Sequence, residues 1–184
     1  MSSSFKSSNT FGSVDSKNDV ITYNVNNFLY HGSTVDVKDP RILRGKFAKD
    51  FGPGFYVTLI KIQAERWSNR FSDGVVSVYT FNESFEKFSY IKFDTDDAWL
   101  DFVVNCRLGI NHDYDIVEGP MVDDTIYNYV NDFIRGDISR TAFWELVKFK
   151  YPTHQIAFCS DKALKYLNFK NSYGVKFSDE KRKR

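Results

Sequence analysis

The segment Asp50-Phe51-Gly52-Pro53-Gly54-Phe55-Tyr56-Val57-Thr58 sets a Gly-Pro-Gly turn directly before a β-prone run. Aromatic and β-branched residues suit a pleated, half-buried surface, so a strand is expected over Phe55 to Thr58. Glycines that precede a strand are the reverse of a dinucleotide fingerprint, in which they link a strand to the following helix. Upstream, Phe28-Leu29-Tyr30 reads as another short strand, ending at His31-Gly32-Ser33. An imidazole beside a glycine brings exposed backbone next to a titratable ring, an arrangement suited to a planar, polar ligand. Tyr56 and Trp67 can stack a flat cation or base, or pack into a core.

Working outward, Ile60, Ala64, Trp67 and Phe71 follow helical spacing, and Val75 to Phe81 and Phe88 to Phe93 read as strands. Trp99, Phe102, Val103 and Cys106 mark an amphipathic helix with Thr95 and Asp96 as candidate caps, which makes Cys106 a core thiol. Tyr114 to Val117 is a strand stopped by Gly119-Pro120. Val122, Ile126, Val130 and Phe133 line one helix, stopped by Gly136, and Ile138, Ala142, Phe143 and Leu146 line another. Gln155 to Cys159 reads as a buried strand before a short helix opening at Ser160. Asn168 to Phe177 supplies a last strand, or a hairpin around Gly174. There is no internal repeat. Strands with helices inserted between them make an α+β domain. Gly45 to Phe51 is expected to be mobile from its loop composition.

The chain has 184 residues, with 18 Phe, 11 Tyr and 3 Trp, which is ample for one core and excludes wholesale disorder. Residues 1–25 form a polar, Ser-rich segment expected to be disordered, with no apolar stretch of the signal-peptide kind. The domain is expected over 26–178, and 179–184 is a basic tail. A formal net charge of +1 gives no global attraction to nucleic acid, although a local basic patch is compatible with it. No run of about 18 apolar residues is present, which argues against a membrane span. Cys106 and Cys159 have neither paired nor metal-type spacing, so no metal site is expected. His112 and His154 are read as structural.

Taken together, Tyr-His-Gly-Ser at 30–33, Gly-x-Gly-Phe-Tyr-x-Thr at 52–58 and a helix carrying Trp67 resemble the ADP-ribosyltransferase fold. The branch most similar is the His-Tyr-Glu type of diphtheria-like toxins and poly(ADP-ribose) polymerases. More narrowly, the chain resembles a group of mostly bacterial proteins with an ADP-ribosyltransferase-like domain. The resemblance spans roughly Phe28 to Phe169 and extends to Asp113–Asp124 and Gln155–Leu164. It implies split, mostly antiparallel sheets around an NAD cleft. NAD would be the ADP-ribose donor, with no metal. His31 would hold ribose hydroxyls, the Gly32 backbone would pair with the nicotinamide carboxamide, and Ser33 would assist. Gly54 belongs to the turn that delivers Tyr56, which would stack on the nicotinamide, and Trp67 would form a second aromatic wall. Breaking the nicotinamide–ribose bond builds positive charge on the ribose and expels a neutral group, so such a site must grip both ends.

The chain departs from the family pattern at its third signature, a Glu that opens a late strand. Gln155 takes that position, and an amide holds a hydroxyl but cannot act as a general base. Polymer elongation is therefore not expected. Asp123 and Asp124 are the candidates to orient or deprotonate an acceptor, with helix capping as their alternative role. Glu118 is a weaker candidate, and Asp50 is expected to anchor its loop. The resemblance implies a mono-ADP-ribosyltransferase acting on a macromolecule, either protein or nucleic acid. It would be a bacterial toxin or effector with an antitoxin partner and no membrane role, cytoplasmic or delivered into a target cell. The rivals are an NAD glycohydrolase and a catalytically silent NAD-binding module.

Overall fold

The structure is a computed structural model and describes residues 28–44, 49–147 and 152–177. The expected disordered segment 1–25 and basic tail 179–184 lie outside the described residues, as do 45–48 of the loop expected to be mobile. The rest of that loop is tightly held, because Phe51 is wholly buried in the core.

Among the described residues, seven strands form two sheets. β1 (Leu29–Ser33), β3 (Gly74–Phe81) and β7 (Leu167–Val175) make an antiparallel sheet in the order β1-β3-β7. β2 (Phe55–Val57), β6 (Gln155–Phe158), β5 (Ile116–Gly119) and β4 (Tyr90–Lys92) make the second, in the order β2-β6-β5-β4. Its β4–β5 pair is parallel and the others antiparallel. One antiparallel bridge between Tyr30 and Thr58 joins β1 to β2, and beyond it the two sheets part. The α+β class read from the sequence is what the chain adopts.

Strand alternation sorts the side chains of the second sheet between two cores. Phe55, Val57, Ile116, Ile156 and Phe158 meet Leu29, Tyr79 and Leu167 of the first sheet. On the opposite face, Val117 and Ala157 pack with Phe51 against three helices: α2 (Asp97–Arg107), α3 (Asp124–Arg135) and α4 (Arg140–Leu146). α1 (Lys61–Ser68) covers the far side of the first sheet through Ala64, Val76 and Val78. A short α5 (Asp161–Leu164) follows β6.

The helix ends follow capping chemistry. Asp96 accepts from the Trp99 N–H, Ser139 from Ala142 and Ser160 from Ala163, so each side chain satisfies an orphan donor. The stripe Trp99, Leu100, Val103 and Cys106 is buried. Burial pushes the Cys106 thiol up to about 11 and Cys159 to about 12, which leaves both as unreactive thiols.

Several expectations are corrected. β1 does not end at His31 but runs through Gly32 to Ser33, paired with Ser77, Val76 and Val75. Phe88 to Phe93 is not one strand: Phe85–Lys87 forms a 3-10 turn that buries Phe85, and only Tyr90–Lys92 pairs. Residues 168–177 form no hairpin, since Gly174 continues β7 opposite Val75. Phe71 lies beyond α1 and is 82% exposed. α1 ends at Ser68, and a Cβ on Gly74 would lie 2.1 Å from the Ser68 carbonyl oxygen, so β3 can begin this close to the helix end only at a glycine. Among the described residues, no helix is long and apolar enough to cross a membrane.

Gly32 is fixed by packing. A Cβ there would lie 2.2 Å from the Ala64 carbonyl oxygen, so β1 and α1 approach this closely only across glycine. Gly32→Ala should cost at least about 2 kcal/mol in urea unfolding. An unchanged midpoint would mean that β1 and α1 are not in contact at this point.

Candidate functional site

A cleft of about 460 Å³ opens where β1 and β2 part. Its chemistry begins with the ladder. The Tyr30 N–H and C=O both bond to Thr58, so in the β1–β3 pair they point away from β3. Backbone groups alternate along a strand, so the Gly32 N–H and C=O face the same side as those of Tyr30. β2 no longer pairs there, and Gly32 lines the cleft with its donor and acceptor unpartnered among the described residues.

His31 also lines the cleft. Its Nδ1–H donates to the Tyr56 carbonyl at 2.7 Å, and its ring stacks on Phe55 at a centroid distance of 4.5 Å. A carbonyl only accepts, so the neutral ring carries its proton on Nδ1 and keeps Nε2 as an acceptor. Burial holds the imidazole below its ordinary value; the Tyr56 bond opposes this and nearby Lys49 adds to it. Tyr56 lines the cleft by its ring. Its hydroxyl donates to the Gly52 carbonyl at 2.6 Å and accepts from the Phe51 N–H, and burial first, then Cys159 and Asp50, keep it protonated. Tyr56 therefore offers a face, not a base.

Asp50 and Gln155 meet in the same cleft. Asp50 Oδ1 pairs with Arg107 at 2.7 Å, and Oδ2 accepts from the Val122 N–H at 3.0 Å and from Gln155 Nε2 at 3.1 Å. Gln155 Nε2 also donates to the Pro120 carbonyl at 3.2 Å. Both amide hydrogens are thus used, which fixes the rotamer and leaves Oε1 as an acceptor without a partner among the described residues.

At the mouth, Trp67 is half exposed and the Arg70 guanidinium lies 4.5 Å over its ring. Arg70 also grips both oxygens of Asp124, at 2.7 and 2.5 Å. Asp124 therefore lines the cleft as the anion of an ion pair. Asp123 accepts from the Ile126 N–H at 3.0 Å, which is its capping role, and it faces a neighbouring depression of about 560 Å³. That depression shares Gln63, Trp67, Met121 and Asp124 with the cleft. Ser33 and Gly54 are not part of the cleft lining. Ser33 Oγ closes a turn on Val35, and Gly54 packs on Phe158 and Cys159.

His112 donates from Nε2 to the Phe51 carbonyl, which adds another tie to the 50–52 loop. His154 accepts from the Leu59 N–H and donates to the buried Glu118, which also binds Tyr90 and Lys92. These groups are structural. Among the described residues, no cluster of His, Cys, Asp or Glu is disposed to hold a metal ion.

Three cleft residues were not legible as such. Asp50 was expected only to anchor its loop. Lys49 adjoins it, with its ammonium 4.8 Å from the Tyr56 ring centre. Arg107 reads locally as an ordinary basic residue at a helix end, and nothing in its spacing predicts a buried partner 57 positions away.

Residues 28–169 match the family model described as "Protein of unknown function (DUF3990)". None of the curated proteins matches the chain.

A depressed His31 means that the unfolded chain takes up a proton first as pH falls below the ordinary value of 6.5. Stability present above that pH is then lost as pH falls. Urea unfolding at pH 7.5 and 5.5 should show this loss, and His31→Asn, which keeps a donor near the Nδ1 position, should lose less. Equal losses would mean that the ring is not buried.

Proposed function

We propose that this chain, which belongs to the DUF3990 family, is an NAD-dependent mono-ADP-ribosyltransferase that releases nicotinamide and modifies a macromolecule. The observation that carries this reading is the pairing of the free Gly32 N–H and C=O with the His31 acceptor and the Tyr56 ring in one cleft. A carboxamide offers one acceptor and a pair of donors, which is the complement of a glycine's N–H and C=O. Ribose hydroxyls are donors, and His31 Nε2 and Gln155 Oε1 are acceptors. Two sheets that part beyond a single bridge agree with the split ADP-ribosyltransferase-like architecture.

In the reaction, the bond between ribose C1′ and the nicotinamide nitrogen breaks, and its electron pair leaves with neutral nicotinamide. An acceptor nucleophile then bonds to C1′ and gives up its proton to solvent. The Gln155 carbonyl dipole favours the positive charge that develops on the ribose. The cleft carboxylates are committed, Asp50 to Arg107, Val122 and Gln155, and Asp124 to Arg70. That commitment fits single transfer to an already reactive acceptor, protein or nucleic acid, better than chain elongation. We assign the protein a toxin or effector role with an antitoxin partner by analogy. The same commitment supports the second reading, a silent NAD-binding module.

Labelled NAD incubated with purified protein should release nicotinamide when cell lysate is present and mark a macromolecule, and His31→Ala should cut the rate at least about tenfold. Release in buffer alone with free ADP-ribose as product would identify a glycohydrolase. Binding without release would identify the silent module.

Gln155→Glu replaces a donor with an anionic oxygen facing Asp50. Two such carboxylates cannot both ionise freely, so one is held protonated. The variant should be about 1–3 kcal/mol less stable than the parent at pH 8, with the deficit shrinking toward pH 5 in thermal unfolding. No deficit at either pH would mean that the Gln155 amide does not bind Asp50.

A further inference from the structure

Arg107 is more than the partner of Asp50. Its side chain is only 6% exposed, yet just one of its three nitrogens, Nη2, reaches a carboxylate. Nε and Nη1 are buried with no acceptor among the described residues. Charged donors without an acceptor in a low-dielectric interior cost free energy, and the Tyr127 ring 4.6 Å from the guanidinium offsets only part of it because a ring face supplies no hydrogen-bond acceptor of oxyanion strength. If holding Asp50 were the whole task, a single point charge would serve, whereas a guanidinium brings five donors in a planar array suited to phosphate oxygens.

A second cation stands beside it. Among the described cleft-lining residues, the basic side chains other than His31 are Lys49 and Arg107. Lys49 forms no ion pair among the described residues, and burial lowers its ammonium below its ordinary range, the sign expected of a cation without an anion. The acids of the lining are already balanced, Asp50 by Arg107 and Asp124 by Arg70. The cleft thus carries an unbalanced positive charge next to the Tyr56 face.

We propose that Lys49 and Arg107 form an anion subsite of the cleft that takes the pyrophosphate of a dinucleotide. This rests on the reading of the cleft as an NAD site. The orphan nitrogens are closed to solvent, so an oxyanion reaches them when a neighbour turns aside. The Tyr127 ring, half exposed on α3 and 4.6 Å from the guanidinium, is the neighbour placed to do so.

The test is calorimetric binding of NAD, nicotinamide mononucleotide and nicotinamide riboside, which differ in phosphate count but share the nicotinamide end. Inorganic pyrophosphate is the fourth probe, read by thermal stabilisation. The variants are Lys49→Met, which breaks no ion pair, and Arg107→Lys, which keeps a charge for Asp50. The intact protein should bind NAD and the mononucleotide more tightly than the riboside. Each variant should weaken the two phosphorylated ligands by about tenfold or more and leave the riboside unchanged. Equal weakening of all three, or a riboside bound as tightly as NAD, would overturn the subsite. Stabilisation of the parent but not of Lys49→Met by pyrophosphate, with no nicotinamide ligand bound, would support the subsite while the NAD reading fails. No response to any of the four probes would overturn both.

Discussion

The buried carboxylate of Asp50 joins four parts of the chain that are distant in sequence. Its oxygens hold Arg107 at the end of α2, the Val122 N–H before α3 and Gln155 at the start of β6, while its own backbone leads into Phe51 of the core. Tyr56 and His112 tie down the next two carbonyls of the same loop. Removing one member of a buried ion pair leaves an uncompensated charge and typically costs about 3–5 kcal/mol. The loop is therefore a fixed wall, and the orientation of Gln155 follows from it.

That constraint bears on why an amide and not a carboxylate stands at position 155. A second carboxylate at position 155 would face Asp50 directly. An amide instead donates to Asp50 and to the Pro120 carbonyl and turns its own oxygen toward the cleft. In the proposed NAD site, that oxygen would be the acceptor for a ribose hydroxyl, and the amide could not serve as a general base.

Much of the architecture is local and hence legible in sequence. The α2 stripe at Trp99, Val103 and Cys106 and the caps at Asp96 and Ser160 follow from spacing and side-chain chemistry alone. The strand around Tyr56 is likewise announced by its turn. What escapes is long-range. α1 ends at Ser68 against Gly74 of β3, a contact between two elements, and Phe71 lies beyond it on the surface. The sequence reading gives the Gly32 backbone a carboxamide to pair with, but not the second constraint on the residue, that its missing Cβ is required by the α1 backbone at Ala64. Arg107 and Lys49 carry no local signal, because burial and missing counter-ions are properties of the assembled cleft. Of the candidate residues, His31, Gly32, Tyr56, Trp67, Asp124 and Gln155 come together in it, while Ser33, Gly54 and Asp123 do not.

In the proposed NAD site, the unpaired edge of β1 at Gly32 would grip a carboxamide. Its most direct test is the amide proton–nitrogen spectrum of the labelled protein during titration with nicotinamide and with NAD. The Gly32 amide should move downfield and saturate with both ligands, while the amide of Ser77, which pairs with the His31 backbone on the side of β1 turned away from the cleft, stays in place. A Gly32 signal that does not move while other signals report binding would contradict the account.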